Sequence, residues 1–126
     1  IVEEVNLFKY LVEAKGETFD PMRVGVARSV NIVDTKAEYD AAIDARMAGR
    51  RRTQNLAQRP DFEDTREIAE LGTIYGTPDQ VAEKIQDLKD AGIEYILLNC
   101  PAGIETLRRF AKEVMPAFAD SAKVTA

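Results

Sequence analysis

Apolar and polar positions along the chain follow two periods, and the switches between them outline the elements. Ile1, Val5, Phe8 and Val12 are apolar, with Glu3, Glu4, Lys9 and Glu13 between them. That spacing predicts an amphipathic helix over 1–15, with Gly16 placed to stop it. Thr18-Phe19-Asp20-Pro21 reads as a turn. From Met22 the period drops to two: Met22, Val24, Val26, Val30 and Ile32 alternate with Arg23, Gly25, Ala27, Ser29 and Asn31. Period two with β-branched residues predicts a strand. Thr35 and Glu38 then stand at capping-box spacing, and Tyr39, Ile43 and Met47 carry a helix to at least Ala48. Gly49 and the arginines after it weaken that pattern, so residues 49–64, with Pro60, read as a loop. A short helix over Thr65–Leu71 is closed by Gly72. Thr73-Ile74-Tyr75 reads as a brief extended lead into Gly76.

Gly76–Phe118 is the most strongly punctuated stretch. Thr77 is a natural N-cap, Pro78 suits the first helical position, and Gln80 completes a capping box. Val81, Ile85 and Leu88 hold helical period up to Gly92, a residue free to adopt the left-handed stop. Tyr95-Ile96-Leu97-Leu98 is a continuous apolar run, the mark of a strand covered on both faces. The last helix begins near Ile104, carries Leu107, Ala111, Val114 and Phe118 on one side, and meets Pro116, which ends or kinks it. Residues 120–126 are small and polar and read as a frayed tail. Helices alternating with strands predict a parallel α/β fold.

The ordered set Gly76-Thr77-Pro78-Asp79, Ala91-Gly92-Ile93, Ile96-Leu97-Leu98 and Arg109-Phe110-Ala111-Lys112-Glu113-Val114-Met115-Pro116 resembles the C-terminal segment of the luciferase-like monooxygenases, flavin-dependent enzymes on a (β/α)8 barrel. The resemblance is good over the last third of the chain and looser upstream. It implies the C-terminal portion of a TIM barrel, with about two parallel strands and four to five helices. It implies FMN or the deazaflavin F420 as cofactor, with monooxygenation or hydride transfer as the chemistry. It also makes residues 49–64 resemble a mobile loop over the active site. Such a barrel needs ~250 residues, whereas this chain has 126. The expectation is a C-terminal piece that is incomplete as a catalyst on its own. Two strands cannot close a barrel, so they pair through a crossover, join the missing N-terminal barrel portion, or complete a sheet with a second copy. A homo-oligomer is expected. The alternative function is a stand-alone oligomeric α/β interaction module derived from such a barrel, without catalysis.

Composition narrows the chemistry. A net charge of −5 argues against nucleic-acid binding through a basic face. No apolar run approaches the ~20 residues of a membrane span, and a cytoplasmic location is the expectation. With no histidine and one cysteine, the chain cannot build a Ser-His-Asp or Cys-His pair or a disulfide, and no metal site is expected.

The candidate site residues follow from place and chemistry. In a barrel the small residues Gly25, Ala27, Ser29 and Asn31 would point inward, with Asn31 nearest the catalytic end of its strand. Asn99 ends the second strand in the same way. Arg46, Arg50, Arg51, Arg52 and Arg59 form a basic segment whose guanidinium groups match phosphate oxygens, although cations near a helix C-terminus are also explained by the helix dipole. Asn31, Asn99, Arg50 and Arg51 are thus the cofactor-binding candidates, and no catalytic residue is assigned. A small phosphate-binding domain built on the arginines is a third reading. Arg28 is expected to reach out to solvent or pair with an acid. Thr77 reads as a helix cap and not a phosphate site, and Cys100 as an inert thiol.

Overall fold

The structure, a computed structural model, describes residues 1–57 and 65–119. Helix α1 (Val2–Ala14) is followed by a 3-10 turn at Pro21–Arg23, then β1 (Gly25–Ile32), α2 (Lys36–Ala57), α3 (Arg66–Leu71), β2 (Thr73–Gly76), α4 (Pro78–Asp90), β3 (Tyr95–Asn99), α5 (Ile104–Glu113) and a 3-10 turn at Met115–Ala117. The architecture is α/β with a three-stranded parallel sheet in the order β2-β1-β3. Parallel neighbours need crossovers, and the helices that make them cover the sheet.

The caps lie where the residue types demand. Thr77 and Gln80 form a complete capping box at α4, and Gly92 follows that helix with φ +91°. The Glu38 carboxylate accepts from the amides of Asp34 and Thr35, while the Glu38 amide donates to the Thr35 hydroxyl. Thr65 caps α3. Pro116 lies in the turn after α5.

Four expectations need correction. Strand β3 is not covered on both faces: Tyr95 and Leu97 are exposed, because α4 and α5 supply the core on one side only. The strand starts at Gly25, because the Asp20 carboxylate accepts from the Met22 amide at 2.9 Å and Pro21 starts a turn of 3-10 helix. Thr73–Gly76 is a third strand and not a lead-in: all four residues are buried and pair with Ser29–Ile32 of β1. Four residues are too few to display a period, and the edge of β1 supplies the partners that make them a strand. Residues 49–57 belong to helix α2. One glycine costs a helix only ~1 kcal/mol, which the arginines, glutamine and leucine after it offset. The remainder of the expected loop, 58–64, and the expected frayed tail, 120–126, lie outside the described residues.

Alternation along the strands separates the two faces. Val30, Ile32 and Ile74 pack with Val81 of α4 and with Phe110 and Val114 to form one core cluster. On the opposite face Tyr75 packs with Ile43 of α2 and Ala69 of α3. Val5 is the buried contact of α1, and it lies over Gly92, where an added Cβ would sit 3.5 Å from its side chain. Leu7, Phe8, Tyr10 and Leu11 of α1 stay exposed.

Ile74 is 1 % exposed and joins β2 to the larger cluster. Ile74→Ala is expected to destabilise by ~2–5 kcal/mol, and Thr77→Ala by ~1 kcal/mol through loss of the cap. Leu56→Ala, at a residue 82 % exposed, is expected to stay within ~0.5 kcal/mol of the parent. Urea unfolding followed by circular dichroism measures all three.

Candidate functional site

The register of the sheet assembles the polar face. Ser29 is paired with Thr73 on one side and with Asn99 on the other, and Asn31 is paired with Tyr75. These residues occupy two adjacent rows, with Ser29 level with the first residue of β2 and the last of β3 and Asn31 one row further toward the carboxyl end of β1. Chain order adds a second constraint. The chain leaves β1 for β2 on one side and later returns to β3 on the other. Open parallel sheets bind ligands at the strand ends where such a reversal opens a crevice.

Helix α2 roofs this region. Ala42, Arg46, Gly49, Arg50 and Thr53 recur at helical spacing and line a cleft of about 400 Å³ together with Ser29, Asn31, Tyr75, Asn99, Pro101 and Ala102. The small residues on the helix let it lie close to the sheet without filling the space. No aspartate or glutamate lines the cleft, whereas two arginines do, in a chain whose net charge is −5.

A hydrogen-bonded chain runs across its floor. An Arg46 terminal guanidinium nitrogen donates to the Ser29 hydroxyl at 2.7 Å, and that hydroxyl donates to Oδ1 of Asn99 at 2.7 Å. The Thr106 hydroxyl donates to Oδ1 of Asn31 at 3.0 Å and accepts from the Ile32 amide at 3.1 Å. Thr106 of α5 thereby holds the end of β1 beyond the last rung of its pairing with β3. Both asparagines have the carbonyl oxygen engaged by the protein. Their amide N–H groups remain donors without a partner among the described residues.

Arg46 is the residue that the linear pattern missed as an individual. Its Nε is buried and has no hydrogen-bond partner among the described residues, and no described carboxylate lies within ion-pair distance of it. Gly72 makes room for its guanidinium, since a Cβ there would lie 2.6 Å from a terminal nitrogen. The available signal was spacing: Arg46 and Arg50 follow Ala42 at successive four-residue steps, on the stripe beside Tyr39, Ile43 and Met47.

Of the sequence candidates, Asn31, Asn99 and Arg50 come together at this cleft. Arg51 does not, being exposed on α2 and outside the lining, because one helical step turns it about 100° from Arg50. Arg59 lies outside the described residues. Gly25 and Ala27 share the face of Ser29 but are exposed: α2 covers only the carboxyl-terminal half of the sheet. Arg28 donates to the neighbouring Ala27 carbonyl at 2.9 Å. Cys100 packs against the larger core cluster, and burial raises its thiol pKa, which removes thiolate character.

A larger hollow of about 600 Å³ lies between α2 and α4, with both signs of charge in its wall. Lys84 there donates to the Tyr75 carbonyl at 2.7 Å and sits 5.5 Å from the Tyr39 ring centre. Burial lowers its pKa. Asp34 is held by Arg109 at 2.9 and 3.2 Å, and that hydrogen bond keeps its carboxyl below the usual range. These groups are committed to structural partners, which makes the smaller cleft the stronger site.

No family model, curated protein or solved structure matches the chain. Among the described residues no helix is long and apolar enough to cross a membrane.

Tyr75, 2 % exposed, anchors the cleft floor. Burial raises its pKa, against the opposing pull of Arg46 and Ser29. A raised folded value means that its contribution to stability is complete below the unfolded value of ~10 and is lost as pH rises through the folded one. The urea midpoint is expected to fall above about pH 10, and to fall less in Tyr75→Phe. Phenolate absorbance of the same variant should lack one late-titrating transition.

Proposed function

We propose that the chain is the C-terminal segment of a flavin-dependent oxidoreductase of the luciferase-like kind, and that the cleft is its contribution to the pocket for flavin or substrate. The observation that carries this reading is the convergence of Ser29, Asn31 and Asn99 on one cleft. Ser29 and Asn99 stand 70 residues apart in sequence, yet they are register partners on neighbouring parallel strands. Two strands joined by a long excursion and paired side by side are what the seventh and eighth strands of such a barrel require. In this reading β2 lies along the edge of β1 that an earlier barrel strand would otherwise meet.

The residues present suit a flavin. Asn31 and Asn99 offer neutral N–H donors of the type that meets ring carbonyl oxygens, and Arg46 and Arg50 suit a phosphate or an anionic substrate. When bound, FMN would supply oxygen activation, or F420 hydride transfer. This segment would position the ring or substrate and shield it from water under α2. The barrel's remaining strands would complete the catalyst.

A second reading, a stand-alone oligomeric module without catalysis, is favoured by one specific feature. Strand β3 has no partner on its outer edge among the described residues, and it exposes Tyr95 and Leu97. Uncharged edges of this kind favour association.

Titration of FMN and of F420 with the purified chain separates the two. Saturable quenching of either flavin's fluorescence, weakened several-fold in Asn99→Ala, is expected from the first reading. Absence of quenching, together with a stable dimer in sedimentation equilibrium, would favour the second.

A further inference from the structure

We infer that Arg46 anchors an oxyanion, a phosphate or carboxylate group carried by a small organic ligand, with the amide groups of Asn99 and Asn31 as neutral donors beside it. The inference rests on reading this cleft as the functional site, but not on the ligand being a flavin.

Four observations lead there. The half-buried Arg46 side chain reaches between α2 and the sheet with no described carboxylate to balance it, which is costly to the extent that the charge is withdrawn from water. Its Nε–H is buried without an acceptor, while a terminal nitrogen is fixed on Ser29. An arginine held at one corner of its fork presents the remaining N–H groups in a set direction, the arrangement that grips two oxygens of one anion. Next, Ser29 takes the Asn99 carbonyl oxygen and Thr106 takes that of Asn31. The protein thus satisfies the acceptor half of each amide and leaves the donor half. Finally, the cleft wall carries a second arginine and no acid.

A neutral polar ligand would leave the guanidinium uncompensated, and a cation would be repelled by it. A bare ion would leave most of the cleft empty, because its wall also includes Ala42, Ala45, Pro101 and Ala102. The ligand class is therefore a small molecule with an apolar or aromatic body and one anionic end. Gly72 belongs to the same construction, since any side chain there would meet the guanidinium.

The test uses inorganic phosphate as the probe and the side-chain N–H resonances of 15N-labelled protein as the readout, with sodium chloride matching the ionic strength. Arg46 Nε–H and the Asn99 amide are expected to shift saturably with phosphate and not with chloride. Asn99→Asp keeps the acceptor for Ser29, replaces the donor by a negative charge at an exposed position, and is expected to abolish the saturable shift. Arg46→Gln should abolish it too, whereas Lys9→Gln, which removes one positive charge from α1, should leave it intact. Equal shifts with phosphate and chloride, or an unchanged phosphate response in Asn99→Asp, would overturn the inference.

FMN and riboflavin, compared in parallel, identify the source of the anion. Tighter binding of FMN by about tenfold or more, lost in Arg46→Gln, assigns the site to the flavin phosphate. Saturable phosphate binding with equal affinity for the two flavins assigns it to a substrate and leaves the inference standing. Phosphate binding with no flavin binding at all removes the flavin reading alone.

Discussion

The parallel pairing of β1 with both of its neighbours is the constraint on which the rest of the molecule depends. It sets Ser29 beside Thr73 and Asn99, and Asn31 beside Tyr75. A slip of one residue would invert every side chain of a strand, bringing Val30 and Ile74 under α2 and Ser29 and Asn99 into the apolar cluster. The core therefore protects the polar face. Val30, fully buried against α4 and α5, is what holds Ser29 toward the cleft.

Helix α2 gives that face its chemistry. One stripe, Tyr39, Ile43 and Met47, docks the helix beside Tyr75 and Ala69. The adjoining stripe is small except for its arginines, so it leaves a space and places charge in it. The same helix thus combines packing with recognition, and Gly72 removes the steric obstacle beneath the guanidinium. The ion pairs elsewhere, such as Arg66 with Asp40 and Glu70, are exposed and structural, and contribute little individually. Arg46 differs in reaching inward to the Ser29 hydroxyl, with no ion-pair partner among the described residues.

Legibility followed the range of the interactions. The caps at Thr35 and Thr77 and the stop at Gly92 depend on residues three or four positions apart, so the residue types alone locate them. Asn31 and Asn99 were recognisable as candidates because each closes a strand, and strand ends can be read from hydrophobic pattern. The third strand was hidden, because its ladder partners lie some forty residues upstream and its own four residues carry no period. The extent of α2 escapes the local pattern for a related reason: Gly49 is a local signal, outweighed by the summed preference of the residues around it.

The amino-acid order thus decided the alternation of helix and strand, the caps, the apolar faces and the acidic balance of the chain, all of which follow from propensity and periodicity within a few residues. Tertiary structure alone decided that β1 is central, that Arg46 and not Arg51 enters the cleft, and that Ser29, Asn99 and Tyr75 share one floor. Those outcomes depend on register and on the rotation of α2 over the sheet. Both are set by packing between segments distant in the chain, whose energy no local pattern records.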